Sequence, residues 1–241
     1  MNKIRVSAVS YTNTKPFVYG LQHSAILERM QLSLDIPSDC AAKVISDEAD
    51  LGLIPVAALL SIPDYHIISD YCIGADGPVD SVFLFSNKPV EEIRTVRLDT
   101  QSRTSNGLAK VLLKYHWQVD PAYTSNGETA DAFVEIGDRT FGKKKAFPYV
   151  YDLAESWKAY CGLPFVFAAW VSNKPLDPEF VAGFNKALAF GVDNRHEVLK
   201  ELPSHPGFDL EDYLCNKLDF DLTETKRSAL EKYLALLKTV L

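Results

Sequence analysis

Along the chain, short uninterrupted apolar runs alternate with longer stretches whose apolar positions recur every three or four residues. The first pattern suits strands covered on both faces and the second suits helices with one covered face, so the sequence predicts an α/β fold. Strands are expected over residues 4–9, 31–36, 51–54, 81–85, 95–98, 132–136 and 165–171, with helices beginning near Pro16, Asp39, Pro55, Ser105 and Asp152. Beyond Asp177 no strand is expected. The best-patterned helix is the last, residues 223–241, where Leu230, Tyr233, Leu234, Leu237 and Leu241 share one face and Thr223 is available as its cap. Such a stripe predicts core packing rather than chemistry. Aromatic residues crowd positions 147–151 and 165–170 among aliphatic ones, and read as core strands with one ring lining a ligand cleft.

One pattern occurs twice. Phe83-Leu84-Phe85 runs into Ser86-Asn87-Lys88-Pro89, and Ala169-Trp170-Val171 runs into Ser172-Asn173-Lys174-Pro175. In both, proline ends the strand and holds the residue before it extended. The repeat is either a coincidence in a turn-prone tetrapeptide or the mark of two equivalent chain crossings between lobes. On the second reading, lobe one comprises residues 1–87 and 172–241, and lobe two comprises residues 88–171. A chain of 241 residues that is 47% hydrophobic has enough apolar surface for either one large core or two small ones.

Charge narrows the functional classes. A net charge of −7, with the three lysines at 143–145 as the only basic cluster, argues against nucleic acid or an anionic membrane as partner. No segment approaches the roughly 20 apolar residues of a membrane span. The opening Met1-Asn2-Lys3-Ile4-Arg5 lacks the apolar stretch of a signal peptide, so the expected compartment is the cytoplasm. The four cysteines and five histidines are dispersed, and no metal site is expected.

Candidate chemistry gathers where strands give way to helices, the end of an open α/β sheet at which ligands bind. After the first strand come Tyr11, Thr12, Asn13 and Thr14. Thr14 and Pro16 are explained by a helix start, but Tyr11 and Asn13 are not, and the Asn13 amide can both donate and accept. After the second strand, Ser38 is either a helix cap or a ligand contact. Ser102, Arg103, Thr104 and Ser105 open another helix. Capping would use one of their three hydroxyls, and the remainder, with a guanidinium and free helix N–H groups, either suits a carboxylate or is surface polarity beside an ordinary cap. Ser81, at the start of its strand, is either a turn residue or a cleft residue. Asp138 either contacts substrate, caps its turn or pairs with Arg139. No Gly-x-Ser-x-Gly elbow and no glycine-rich phosphate loop is present.

The chain resembles the chorismate dehydratase family of the futalosine route to menaquinone. The resemblance rests on the segments from Ser10 to Phe17 and from Ser102 to Ser105, on Ile136-Gly137-Asp138, and on Tyr151-Asp152-Leu153-Ala154-Glu155-Ser156-Trp157 continuing to Gly162-Leu163-Pro164-Phe165-Val166-Phe167-Ala168. The last segment is the most specific. The family pattern departs in small ways, with Thr12 where a larger apolar residue is common and Cys161 where threonine is usual. The resemblance implies a periplasmic-binding-protein-like fold of the type with two hinge strands and a central cleft. It also implies elimination of water from chorismate, a dicarboxylate, to give 3-[(1-carboxyvinyl)oxy]benzoate without a cofactor. By resemblance Asn13 and Ser81 are the catalytic residues, while Tyr11, Ser38, Ser102, Arg103, Thr104, Ser105 and Asp138 hold the substrate. Two alternatives share the fold: the sister enzyme that cleaves cyclic dehypoxanthinyl futalosine, and a non-catalytic solute-binding protein. The sister enzyme carries a Pro-Cys-Pro-Asn-Asp type loop and a site histidine, where this chain has Thr12-Asn13-Thr14-Lys15-Pro16.

Overall fold

The computed structural model describes residues 3–124 and 129–241. Met1 and Asn2, which open the stretch read for a leader, lie outside the described residues. The chain divides into two compact units, each drawn from three separate stretches.

Unit 1 comprises the chain up to Gly74, Val166–Pro203 and Asp219–Thr223. Its strands are β1 (Ile4–Val9), β2 (Met30–Asp35), β3 (Leu51–Pro55), β4 (His66–Ala75), β10 (Phe165–Ser172) and β11 (Asp219–Asp221). They form one sheet in the order β11-β4-β10-β3-β1-β2. β1 runs parallel to β2 and β3, and β10 runs antiparallel to β3. Helices α1 (Lys15–Gln22), α2 (Pro37–Ile45), α5 (Pro178–Asp193) and α6 (Arg195–Glu201) complete the unit. Every residue of β3 and β10 is buried, as their unbroken apolar sequences require. Phe17 of α1 stands edge-on to Trp170 and Phe220 at 5.9 and 5.3 Å, joining helix and sheet in one core.

Unit 2 comprises Ala75–Phe165, Ser204–Leu218 and Glu224–Leu241. Its strands β5 (Val82–Ser86), β6 (Thr95–Arg97), β7 (Ala122–Thr124), β8 (Ala132–Ile136) and β9 (Tyr149–Asp152) are ordered β7-β6-β8-β5-β9. Helices α3 (Arg103–Tyr115), α4 (Leu153–Cys161), the short α7 (Leu210–Asp212) with the π-helical turn Tyr213–Lys217 behind it, and α8 (Glu224–Leu237) cover it. The core aromatics Trp157, Phe165 and Tyr233 meet edge to face, with Phe165 5.5 Å from Trp157 and 5.0 Å from Tyr233.

The predicted strands are all present, and the structure changes four other expectations. The helix expected near Pro55 is a 3₁₀ turn, Val56–Ser61, because β3 extends through Pro55. A strand does follow Asp177: β11 pairs with β4, whose own ten residues escape prediction because Ser69, Asp70 and Gly74 interrupt the apolar run. The stripe of α8 is buried at Leu230, Tyr233, Leu234 and Leu237, but Leu241 lies past the helix end and is 80% exposed.

The crossings are also displaced. Ser86–Pro89 and Ser172–Pro175 do not mark changes of unit, because β5 is hydrogen-bonded on both sides within unit 2 and β10 pairs with β3 within unit 1. The chain instead changes unit within β4, after Gly74, and within β10, before Val166, and residues 204–218 and 224–241 join unit 2 rather than lobe one. The repeated tetrapeptide is a local turn used twice. Ser86 Oγ donates to the Lys88 carbonyl and accepts from its N–H, and Ser172 does the same with Lys174.

Candidate functional site

In unit 1, the parallel register sets Val9 opposite Asp35, so the loops leaving β1 and β2 start side by side at one end of the sheet. The Ser10 N–H donates to the Asp35 carbonyl at 2.9 Å and ties them together. Beneath, the Asp35 carboxylate accepts from Ser7 and Ser33 hydroxyls and from Lys43 Nζ, each at 2.7 Å. Its burial opposes ionisation, but those three donors hold it below the usual carboxylate range. Next to it, burial pushes the Cys40 thiol up to about 11, which keeps it protonated and unreactive.

Tyr11 leads into one 3₁₀ turn, Thr12–Thr14, with Asn13 half-buried at its centre. Thr14 Oγ1 donates to Asn13 Oδ1 at 3.2 Å. That bond engages the amide oxygen and leaves the NH₂ available to donate. Thr14 therefore orients Asn13 instead of capping α1, and its side chain makes no cap hydrogen bond. Ser38 is not a cap either. Ile36 holds that position, and Ser38 follows Pro37 in the first turn of α2, 3.5 Å from Asp39 Oδ1. Both helices thus begin without a side-chain cap, and their first N–H groups favour negative charge.

In unit 2, β5 runs antiparallel to β8 with Val82 opposite Ile136, while β6 runs parallel to β8. The start of β5 and the ends of β6 and β8 therefore lie at one sheet edge, which brings Ser81, Asp138 and the Ser102–Ser105 turn to the same end. Ser81 and Gly137 are joined directly, the Gly137 N–H donating to the Ser81 carbonyl at 2.8 Å. Ser81 is buried, and its Oγ accepts from the Tyr213 hydroxyl at 2.9 Å. The residue before it, Asp80, is left-handed with φ of 59°. That unfavourable turn is held by Asp152, whose Oδ2 accepts the N–H groups of Val79 and Asp80 at 2.9 and 2.7 Å.

Ser102 caps α3, accepting from the Ser105 N–H at 3.1 Å and donating to Ser105 Oγ at 2.9 Å. Capping accordingly engages two of the three hydroxyls, more than one as expected from sequence, and leaves the Ser105 proton to donate. Thr104 is fixed through its carbonyl, which accepts from Tyr233. Arg103 is exposed in the first turn of α3 and has no ion-pair partner among the described residues, which suits an incoming carboxylate. The loop before them is stapled by Asn106, which accepts from the Asp99 N–H and donates to its carbonyl. Asp138 lies half-buried in the 3₁₀ turn Gly137–Thr140. Its neighbour Arg139 pairs with the buried Asp99 at 2.6 Å.

Two residues of this end escaped sequence reasoning. Asp152 was read only as the start of a helix, and its grip on Val79 and Asp80 spans more than 70 positions. Tyr213 sits in a stretch that read as helical packing, 132 residues from Ser81. No local signal marks either role.

A family model described as menaquinone biosynthesis matches residues 4–239. A relative named chorismate dehydratase, from Thermus thermophilus, is 27% identical over 92% of this chain and 91% of its own length. Among solved structures, protein AF1704 from Archaeoglobus fulgidus superposes with a TM-score of 0.75 at 16% identity, covering 98% of this chain and 97% of that one. The Candida albicans CA3427 gene product, described as having the generic periplasmic binding protein fold, gives 0.64 at 11% identity over 99% and 91%. The Escherichia coli periplasmic aliphatic sulphonate binding protein gives 0.60 at 13% identity over 99% and 92%. The fold is therefore that of the two-lobed periplasmic-binding-protein-like proteins.

Proposed function

This chain belongs to the menaquinone biosynthesis family, and from that premise we propose that it is a chorismate dehydratase. The observation that carries the reading is its likeness, along nearly the whole of both chains, to the Thermus thermophilus protein of that name. In the proposed reaction the ring C–H next to the carbinol carbon loses its proton, the hydroxyl leaves that carbon, and the electron pair closes an aromatic ring. The products are 3-[(1-carboxyvinyl)oxy]benzoate and water. Aromatisation supplies the driving force and the ring carboxylate acidifies the departing proton, so the protein's task is to hold the substrate and stabilise developing charge. The described residues suit that task, being rich in oriented donors. Asn13 presents its NH₂ to the leaving hydroxyl, and Ser81 bonds near the reacting carbon. One of the substrate's own carboxylates serves as base. Tyr11, Ser38, Ser102, Arg103, Thr104, Ser105 and Asp138 hold the substrate, with Arg103 and the N-terminus of α3 on a carboxylate. No cofactor enters this scheme, and the reaction is placed in the cytoplasm.

The test is to incubate the protein with chorismate, follow loss of the diene absorbance and identify the benzoate product. Asn13→Ala and Ser81→Ala, with folding intact, should each lower turnover about 100-fold, the usual cost of one donor aimed at developing charge. Near-normal rates in both would remove these residues from the mechanism. Binding of chorismate without conversion would overturn the dehydratase reading in favour of a solute-binding protein.

A further inference from the structure

We infer that Tyr213 is the positioning residue that makes Ser81 a hydrogen-bond donor to substrate, an inference that rests on the dehydratase reading. A serine hydroxyl carries one proton and rotates freely unless a partner fixes it. Here the Tyr213 hydroxyl donates to Ser81 Oγ at 2.9 Å, and both side chains are buried. With its acceptor side engaged by Tyr213, and no other described residue bonded to it, the Ser81 hydroxyl has its own proton left for a ligand. The bond also polarises the serine oxygen, which strengthens the donation.

The surroundings of Tyr213 are built to hold that direction. Its ring meets Phe141 edge-on at 5.5 Å and Phe208 at 5.2 Å, and those two stack on each other at 3.8 Å. It opens the π-helical turn Tyr213–Lys217, a distortion frequently found at functional sites. The Ser81 backbone is held independently, through Gly137 on its carbonyl and through Asp152 on the two preceding N–H groups. The strand start therefore does not need the Tyr213 bond to keep its course. What the bond sets is the orientation of one hydroxyl.

The experiment measures kcat and KM for chorismate in the wild type, Tyr213→Phe, Ser81→Ala and the double variant. Tyr213→Phe keeps the ring, so kcat should fall about 3- to 10-fold, the cost of one neutral hydrogen bond, while KM stays within about twofold. In the Ser81→Ala background the same change should cost nothing further, because the tyrosine acts through the serine. Site-specific 3-fluorotyrosine at position 213 keeps ring and hydroxyl and sharpens the donor, so kcat should hold or rise. A wild-type rate in Tyr213→Phe, an equal fractional loss in the Ser81→Ala background, or a loss with 3-fluorotyrosine matching that of Tyr213→Phe overturns the inference alone. A wild-type protein that does not turn over chorismate overturns the dehydratase reading and this inference with it.

Discussion

Asp152 concentrates more of the local architecture than any residue the sequence marked for chemistry. Its buried carboxylate accepts four backbone N–H groups: Val79 and Asp80 on one oxygen, Ala154 and Glu155 on the other. Burial pushes the group up to about 6, and the N–H donors work against that rise. Asp152→Ala should leave two donors of the Asp80 turn and the cap of α4 unmet, at about 3 kcal/mol in all, measured as a shift in the urea midpoint. Asp152→Asn keeps one carbonyl acceptor and should lose about half as much. Because Asp80 precedes Ser81 in a left-handed turn, Asp152→Ala should also depress turnover under conditions where the variant remains folded. The placement of the proposed site residues was legible in sequence, since Asn13, Ser81 and the Ser102–Ser105 turn do fall at sheet ends. Their hydrogen-bond roles were not. Thr14 looked like a cap and instead orients Asn13, and Ser102 takes Ser105 as its capping partner, outcomes decided by backbone angles that composition does not encode.

At the scale of elements, strands buried on both faces were legible because an unbroken apolar run of five to eight residues has few other ways to be covered. β4 was hidden by polar positions whose needs are met only in the fold, as when Ser69 donates to Asn185 Oδ1 at 2.7 Å. The packing of α1 on α5 was equally hidden, although it seats the helix that follows Asn13. Gly20 and Gly191 let the two backbones touch. A Cβ on Gly191 would stand 1.8 Å from the Pro16 carbonyl oxygen, and one on Gly20 would stand 1.9 Å from that of Ala187. Backbone cannot yield as a side-chain tip can. Gly191→Ala should therefore destabilise the protein by about 3 kcal/mol in urea titration despite alanine's better helix propensity, and it should raise KM for chorismate by displacing the start of α1. A variant as stable as the wild type would show that the helices can separate without loss.

For the whole molecule, the two-lobed class was legible from the alternation of elements, whereas the path of the chain between units was not. The Ser-Asn-Lys-Pro repeat pointed to real, equivalent turns but not to the boundaries, and the C-terminal helix was expected in the wrong unit. The stripe on α8 says that the helix is covered without saying by what. Its cover is unit 2: Tyr233 packs on Phe165 and Trp157 and donates to the Thr104 carbonyl, and Leu237 occupies the space that a side chain at Gly107 would fill. Leu230, Tyr233 and Leu237, all buried, contribute about 2 kcal/mol each through burial alone, a sum comparable to the stability of a small domain. Ending the chain after Thr223 removes α8 while leaving every segment of unit 1 in place. Hydrogen exchange on that truncated chain should show β5 and β8 unprotected while β1 and β3 keep their protection. Loss of protection in β1 and β3 with β5 and β8 intact would return α8 to the first unit, as the sequence alone had suggested. Because Thr104 loses its anchor with α8, the proposed carboxylate-binding turn should fail in the same chain, and chorismate binding with it.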